Sequence, residues 1–238
     1  MTKKQSDKKI KLEDYVYLRE FECPLCFTSF KNTFVKTTKV HLVKTDTDLK
    51  PSYEPVDPLY YDIISCPSCG YSAMKTHFKY ISDKQHDILM KEFINSCKPQ
   101  QYPLIYSMEQ AVERYKLALF CATKKRVKNS EKAMLCLKLS WLMRDAGLEF
   151  QEKGFEEHAY NGFLQAYQTE YFPMFGMNEL ALTYLLGDLA RRLGNLDVAM
   201  RYISTVLTSK SVELKLKERA QKVRNLIKAA REKETNEE

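Results

Sequence analysis

The second half of the chain carries apolar residues at helical spacing, separated by short polar turns. We predict helices near residues 83–97, 108–125, 131–152, 155–171, 179–193, 196–209 and 212–232. The fifth and sixth of these have the clearest spacing, over residues 183–193 and 196–207. Because Gly194 and Asn195 provide a suitable cap and tight turn between them, these two helices should form an antiparallel hairpin.

The first part of the chain has a different pattern. Between residues 27 and 64, β-branched and aromatic side chains partly alternate with polar ones, which predicts one or two short strands. Helical signals begin after this region. Ser82 with Gln85 and Ser107 with Gln110 both fit the reciprocal capping box that satisfies the first N–H groups of a helix.

Composition excludes several classes of protein. The 238 residues include seven glycines and eight prolines, about half of average usage, which argues against an all-β fold, a dinucleotide fingerprint and a P-loop. The net charge is +7, so the chain is mildly basic. No stretch approaches the ~18 apolar residues of a membrane span, and the Lys-rich N-terminus lacks the apolar core of a secretory signal. We therefore expect a cytoplasmic protein without a membrane segment.

Two C-x-x-C motifs carry the sharpest chemistry. Cys23 and Cys26 enclose Pro-Leu, and Cys66 and Cys69 enclose Pro-Ser. Two residues between cysteines let both thiolates converge on one ion, and two such turns complete a tetrahedral four-thiolate shell. The spacing predicts a structural Zn²⁺ bound by these four cysteines. A closed shell leaves no open coordination position, so no catalysis is expected at the metal.

Two alternatives to the zinc site stay open at this stage. A C-x-x-C pair can be a redox dithiol, although neither motif lies in the βαβ context of thioredoxin-like sites. The 39 residues between the pairs also exceed the ~12 to 20 of compact zinc ribbons, so the cysteines could bind nothing. Cys121 and Cys136 fall in predicted helices and are expected in the core, whereas the role of Cys97 is open.

Residues 184–202 resemble a tetratricopeptide repeat, because small residues fall at the separations where paired helices approach closely. A helical bundle without repeats is an equally simple geometry. In the repeat interpretation Tyr184, Asp188 and Arg191 share one face of a groove helix, with Arg192 beside them. We predict that these four residues bind a partner, such as an acidic or C-terminal peptide. The competing interpretation is an Asp188–Arg192 ion pair on a solvated face.

Several segments, in order along the chain, resemble the bacterial domain-of-unknown-function family 2225. They are Cys23-Pro24-Leu25-Cys26, Asp46-Thr47-Asp48-Leu49 with Tyr53, Pro58-Leu59-Tyr60-Tyr61, Cys66-Pro67-Ser68-Cys69-Gly70-Tyr71, and the helical stretch from Tyr184 to Asn195. The resemblance covers about residues 20 to 230. It implies a metal-binding N-terminal module joined to tetratricopeptide-like helices, and it brings no established activity.

No catalytic motif is present among the patterns considered, including H-E-x-x-H, G-x-S-x-G and a Gly-rich phosphate loop. The acidic stretch that includes Asp46 and Asp48 lacks the ligand ladder of a calcium loop and is expected to be solvated. We therefore expect a non-enzymatic adaptor that binds a protein or peptide. The alternative is a nucleic-acid-binding regulator that uses the zinc module and basic residues such as those at 124–128.

The predicted fold class is mainly α, with a small β zinc-ribbon-like N-terminal module and C-terminal tetratricopeptide-like helical hairpins. The predicted domain boundaries are a disordered basic tail over residues 1–14, the zinc-ribbon-like module over 15–80, the helical domain over 81–232 and a frayed tail over 233–238. The oligomeric state is not predicted.

Overall fold

The computed structural model of the chain describes residues 11–93 and 100–237. Within these ranges the protein is mostly helical, and short strands are confined to the N-terminal part, which confirms the predicted fold class. The helices are α1 (Asp83–Phe93), α2 (Met108–Lys124), α3 (Asn129–Asp145), α4 (Glu149–Thr169), α5 (Glu179–Arg192), α6 (Leu196–Thr208) and α7 (Leu214–Glu237). The strands are β1 (Val16–Glu22), β2 (Ser29–Val35), β3 (His41–Thr45), β4 (Pro51–Glu54), β5 (Ile63–Ser65) and β6 (Ser72–Met74).

The chain divides into two compact units. The first, which we call the strand unit, comprises Met1–Lys44 and Ser52–Arg114. The second, the helical unit, comprises Thr45–Pro51 and Tyr115–Glu238. The division therefore falls within α2 rather than after residue 80, and the connection between β3 and β4 belongs to the helical unit. Hydrophobic periodicity cannot reveal this arrangement, because it reports which residues are buried and not which elements they contact.

The structure describes part of each predicted tail. Of the basic tail predicted over residues 1–14, residues 1–10 lie outside the described part of the chain, and Leu12–Tyr15 form a 3₁₀ helix. The C-terminal tail predicted to fray from residue 233 continues α7 as far as Glu237. Cys97 also lies outside the described residues.

In residues 11–93 and 100–114 the strand unit contains three two-stranded sheets. β1 pairs antiparallel with β2, with Val16 opposite Val35, and β5 pairs antiparallel with β6. The prediction of one or two strands over residues 27–64 was too low, because four strands begin within that range and β1 and β6 flank it. β1 was missed because most of its side chains are exposed, so its sequence lacks the alternation of a half-buried strand.

Arg114 is fully buried within the strand unit. Its guanidinium donates from Nε to Ser65 Oγ at 3.2 Å and from Nη2 to Asn32 Oδ1 at 2.7 Å. The rings of Tyr102 and Tyr106 lie with their centroids 5.1 and 4.1 Å from the guanidinium carbon, so the cation is also stacked on aromatic faces. One side chain thus connects β2, β5 and the segment that precedes α2.

The start of α1 and of α2 is set by the predicted capping boxes, which the structure confirms. The Gln85 N–H donates to Ser82 Oγ at 3.4 Å, and the Ser82 N–H donates to Gln85 Oε1 at 3.1 Å. Ser107 and Gln110 make the equivalent bonds at 3.3 and 3.0 Å. Each box satisfies two N–H groups that would otherwise lack an intrahelical partner.

The helical unit is built from consecutive helices that pack on one another: α3 on α4, α5 on α6, and α6 on α7. The predicted α5–α6 hairpin is confirmed, and Gly194 at φ +85° forms its turn. The boundary predicted between residues 152 and 155 was wrong. α3 ends at Asp145, because Gly147 adopts φ +69° and closes the helix, and Gly154 lies inside α4. The tetratricopeptide-like character of these hairpins stays a prediction.

Two glycines allow close packing between paired helices. A Cβ atom at Gly162 would lie 2.9 Å from Ala133 Cβ in α3, and one at Gly187 would lie 2.8 Å from Ile203 Cδ1 in α6. Neither distance is compatible with ordinary van der Waals contact, so a larger residue at Gly162 would push α3 and α4 apart, and one at Gly187 would require the Ile203 side chain to shift.

We expect Gly162→Ala to destabilise the protein by about 1 to 3 kcal/mol, because the new methyl group overlaps a short, rigid side chain. Gly154 provides the matched control in the same helix, since a Cβ atom there meets nothing within 4 Å. Gly154→Ala should stabilise by about 0.5 to 1 kcal/mol through helix propensity. Denaturant unfolding followed by circular dichroism measures both changes. Equal effects of the two substitutions would contradict the packing described here.

Candidate functional site

The first cysteine turn follows β1. Its backbone is held by two hydrogen bonds, from the Phe27 N–H to the Cys23 carbonyl at 2.9 Å and from the Cys23 N–H to the Thr28 carbonyl at 3.0 Å. Phe27, directly after Cys26, adopts φ +59°, an unusual conformation for an aromatic residue. The Leu25 N–H also points at Cys23 Sγ, at 3.4 Å.

The second cysteine turn follows β5 and repeats this pattern. The Gly70 N–H donates to the Cys66 carbonyl at 3.0 Å, and the Cys66 N–H donates to the Tyr71 carbonyl at 2.8 Å. Gly70, directly after Cys69, adopts φ +76°. Glycine adopts this conformation without steric cost, and Phe27 holds the equivalent position of the first turn. The sequence did not predict this for Phe27, because a left-handed conformation is expected of glycine and not of phenylalanine.

The two turns bring their four sulfur atoms together. Cys23 Sγ lies 3.6 Å from Cys69 Sγ, and Cys26 Sγ lies 3.6 Å from Cys66 Sγ. All four sulfurs are within 4.8 Å of one another, and no disulfide joins any of these four described residues. Cys23 and Cys66 are buried, and the other two are half-buried. The cluster could therefore hold a metal ion.

The four thiols cannot all ionise at this separation without a cation among them. Hydrogen bonds from Cys23 and Cys69 stabilise the Cys66 thiolate and lower the pKa of Cys66 to about 2, against the opposing effect of burial. The Cys23 thiol donates to that thiolate, which raises the pKa of Cys23 to about 12. The pKa of Cys69 is raised for the same reason, through its contact with Cys23. A metal ion would replace these shared protons.

Two further residues contact the first turn, and neither contact was predicted from the sequence. The Cys26 thiol lies 3.4 Å from Thr28 Oγ1. His86 of α1 contacts the carbonyl oxygen of Leu25 at 3.1 Å through Nε2, and its ring packs against that of Phe27. A lone histidine 60 residues away carries no spacing signal, so only the fold places His86 here.

The residues predicted to bind a partner have unlike environments. Tyr184 and Asp188 are fully buried, so neither faces solvent. The Tyr184 hydroxyl donates to the carbonyl of Thr47 at 2.6 Å, and Asp188 Oδ1 accepts from Arg191 Nε at 2.8 Å. Asp188 thus forms an ion pair with Arg191, three positions along α5, in place of the ion pair considered between Asp188 and Arg192.

Arg191 and Arg192 keep about a fifth of their side-chain surface exposed. Arg192 donates to Glu152 and to Glu156 of α4, both at 2.5 Å. The two arginines line an open cavity of about 580 Å³ together with Glu149, Phe150, Glu152, Lys153 and Glu156. Their predicted role in partner binding stays a prediction.

The expectation of a solvated acidic loop was wrong for Asp48. Asp48 is fully buried within the helical unit, where Oδ2 accepts from Trp141 Nε1 at 2.9 Å and from Arg144 Nη2 at 2.5 Å. The Lys50 N–H donates to Oδ1 at 3.3 Å. Charge and hydrogen bonds compensate the burial of a carboxylate, and sequence spacing does not reveal partners 93 and 96 residues away.

Burial alone would raise the pKa of Asp48, but the hydrogen bond and charge of Arg144 outweigh it, so the pKa is lowered. Burial of Arg144 works against its charged form, whereas Asp48 and Glu152 favour it, and the net result is a raised pKa. Both groups are therefore charged at neutral pH, and each stabilises the ionised state of the other.

Fold and site together define a mostly helical protein with a small strand unit that presents four clustered cysteines. Residues 16–227 match the family described as uncharacterized protein conserved in bacteria (DUF2225), so the chain belongs to this family. The chain has no significant match among curated proteins or among solved structures. Of the helices in the described residues, none combines the length and apolar content that a membrane crossing requires.

We expect metal binding to depend on the four clustered cysteines. The protein purified under reducing conditions should contain about one metal ion per chain, because four thiolates complete one tetrahedral shell. Replacing two ligands in Cys23→Ser with Cys66→Ser should abolish the bound metal and lower the melting temperature. Elemental analysis and circular dichroism measure these effects. Cys136→Ala, which removes a buried thiol outside the cluster, should retain the metal. Metal-free wild-type protein with four reactive thiols would contradict the site.

Asp48→Asn should cost about 1.5 to 3 kcal/mol of stability at neutral pH, because it removes a charge-assisted hydrogen bond in the interior. The folded-state pKa of Asp48 is lower than its ordinary value of 3.8. The contribution is therefore complete above about pH 5 and is lost as the pH falls through that lower folded-state pKa.

Asp197→Asn is the matched control, because Asp197 pairs with Arg231 at an exposed position and its side chain is 92% exposed. We expect it to change stability by less than about 1 kcal/mol. Urea unfolding at several pH values from acidic to neutral measures the free energy of unfolding of both variants and of the wild type. A cost of Asp48→Asn that grew at acidic pH would show the opposite sign of linkage.

Proposed function

We propose that the four clustered cysteines hold a structural zinc ion. Four thiolates at ~2.3 Å from a tetrahedral zinc lie ~3.8 Å apart, and the Cys23–Cys69 and Cys26–Cys66 sulfur distances between the turns are both 3.6 Å. A disulfide, by comparison, requires sulfurs at ~2.05 Å. The donor set is also the one that structural zinc takes most often, since it offers sulfur and no oxygen.

In this proposal the zinc ion stabilises the strand unit and takes no part in catalysis. Each of the two cysteine turns connects the strands of a different antiparallel pair, β1–β2 and β5–β6, and the ion would join the two pairs. The three sheets of the unit are short, so metal binding would add to the folding free energy that the buried apolar side chains supply. A closed four-sulfur shell has no position for a substrate.

We further propose that the protein is a cytoplasmic, non-enzymatic adaptor that binds a partner polypeptide through its helical unit. The observation that carries this proposal is Phe150 near the start of α4, whose surface is 89% exposed. Phe150 lines both the cavity of about 580 Å³ beside Arg191 and Arg192 and a second cavity of about 490 Å³. The second cavity is lined by Phe150, Lys153, Gly154, Glu157, Tyr160, Asn161, Leu193 and Asn195.

An aromatic side chain between two cavities with a charged rim has the composition of a protein interface centre. Lys153 also lines both cavities, so the surface is continuous along α4. We call this surface, formed by the residues of the two cavities, the Phe150 surface. A partner that buried Phe150 would remove its apolar area from water, and the charged rim would select the partner.

A nucleic-acid-binding role is the second candidate, and one observation favours it. The last helix, α7, exposes several lysines that form no ion pair within the described residues, namely Lys215, Lys217, Lys222, Lys228 and Lys233. Such a face could contact phosphates. The basic residues at 124–128 support this role less than the sequence indicated, because Lys125 is buried and burial lowers its pKa.

The test compares proteins captured by tagged wild type and by Phe150→Ala from lysate of a bacterium that carries the protein, with and without nuclease. We expect Phe150→Ala to reduce a nuclease-resistant protein partner by about 10-fold or more, because truncation removes the interface centre. Tyr171→Ala is the matched control, since Tyr171 is 94% exposed and lines neither cavity.

A partner captured equally by wild type and Phe150→Ala would contradict the Phe150 surface. Loss of all partners after nuclease treatment would instead favour the nucleic-acid role. In that case a variant with Lys222→Glu and Lys228→Glu should lose the captured nucleic acid.

A further inference from the structure

The segment Thr45–Pro51 connects two strands, yet it belongs to the helical unit. It is seven residues long, and three of its side chains are charged, Asp46, Asp48 and Lys50. Asp48 and Lys50 are nevertheless buried, at 0% and 3% exposure. Groups of the helical unit must therefore compensate the burial of both charges.

Two hydrogen-bond donors on one face of α3 bind the carboxylate of Asp48. Trp141 Nε1 and Arg144 Nη2 both donate to Oδ2, at 2.9 and 2.5 Å. These residues are three positions apart, so they lie side by side on the helix. An indole N–H beside a guanidinium suits a carboxylate, because both groups only donate hydrogen bonds.

The residues on either side of Asp48 also contact the helices, through hydrogen bonds, apolar packing and an ion pair. The carbonyl of Thr47 accepts from the Tyr184 hydroxyl at 2.6 Å, and Thr47 Oγ1 accepts from Arg191 Nη2 at 3.4 Å. Leu49 packs against the apolar cluster between α5, α6 and α7. The Lys50 ammonium pairs with Asp145 at the end of α3. Four consecutive residues are thus each recognised, as in a peptide bound by a groove.

The backbone of Leu49 indicates that contacts with the helices hold the segment, and not its own conformational preference. Leu49 adopts φ +68°, which costs about 1 to 2 kcal/mol for a residue with a Cβ atom. The hydrogen bonds that Asp48 and Thr47 accept from the helices, together with the packing of Leu49, offset this cost.

We propose that Trp141, Arg144, Tyr184 and Arg191 form a recognition site for an acidic peptide, which the segment Thr45–Pro51 occupies as an intramolecular ligand. A partner peptide with the pattern Asp-x-Asp-Leu binds when it displaces the segment. This inference deepens the proposed adaptor role, because it names the chemistry of a partner. The test below uses purified components, so its failure would leave the Phe150 surface untouched.

The test measures binding of a synthetic peptide with the sequence of residues 44–53 to a full-length variant, Asp48→Ala with Leu49→Ala, that weakens the native occupant. Trp141 is the only tryptophan of the chain and contacts the bound carboxylate, so its fluorescence reports occupancy directly. We expect saturable binding to the variant. A control peptide with Asn in place of Asp48 should bind about 10-fold more weakly or worse.

The wild type should bind the same peptide much more weakly, because the tethered segment competes at an effective concentration of about millimolar. Adding Arg144→Ala to the variant should abolish the preference for the Asp peptide. Two outcomes would overturn the proposal. One is a folded variant, judged by circular dichroism, that does not bind the peptide; the other is equal binding by wild type and variant.

A second measurement uses the wild type and tests the proposal even if the variant fails to fold. In the wild type, peptide well above millimolar concentration should displace the segment and speed hydrogen exchange at the Lys50 amide, which is bonded to Asp48. The Asn peptide at the same concentration should leave that exchange rate unchanged. Full protection of the Lys50 amide with both peptides would show that the segment is a permanent part of the fold and would refute the proposal.

Discussion

The strand unit depends on one constraint: pairs of short strands cannot hold themselves together in water. Its three sheets have two strands each, and β5 and β6 are only three residues long. The unit must therefore be joined at points between its sheets. The four sulfurs connect the turn after β1 to the turn after β5, and the buried guanidinium of Arg114 connects β2 to β5. Both are polar connections between short sheets, and they act beside the apolar cluster that includes Val16, Val35 and Tyr61.

The helical unit follows the opposite rule, because periodic apolar faces already give it a core. Its packing is close enough that a Cβ atom at Gly162 would overlap Ala133 Cβ, and one at Gly187 would require the Ile203 side chain to shift. Polar groups in this interior are therefore not needed for the helices to associate. Even so, Arg144 contacts Asp48, Glu152 and Glu156, and Arg192 contacts the same two glutamates. These ion pairs fix how α3, α4 and α5 meet, and they hold a segment that the chain brings from its strand region.

The features predicted from the sequence were those that depend on neighbours along the chain. Helix spacing, the two capping boxes and the cysteine spacing are local, and the structure confirms the helices and boxes and brings the cysteines together. The features that were missed depend on distant partners. The sequence predicts a solvated Asp48, because its partners Trp141 and Arg144 are distant along the chain. The sequence does not predict β1, because this exposed strand is defined by its pairing with β2. The positive φ of Phe27 was missed because a required turn geometry overrides the ordinary preference of the residue.

The burial of Asp48 deserves a physical explanation, because a buried ion pair is weak support for stability. Replacing such a pair with apolar residues of similar volume is often neutral or stabilising, since the charges lose hydration that their attraction only partly restores. A leucine-rich contact would therefore hold Thr45–Pro51 at least as firmly. What the charged contact adds is selectivity: an apolar groove accepts many segments, whereas an indole and a guanidinium accept a carboxylate at one position and leave an uncompensated charge when it is absent. The same property makes the contact exchangeable, because any chain that offers a carboxylate and a following apolar residue meets the same donors.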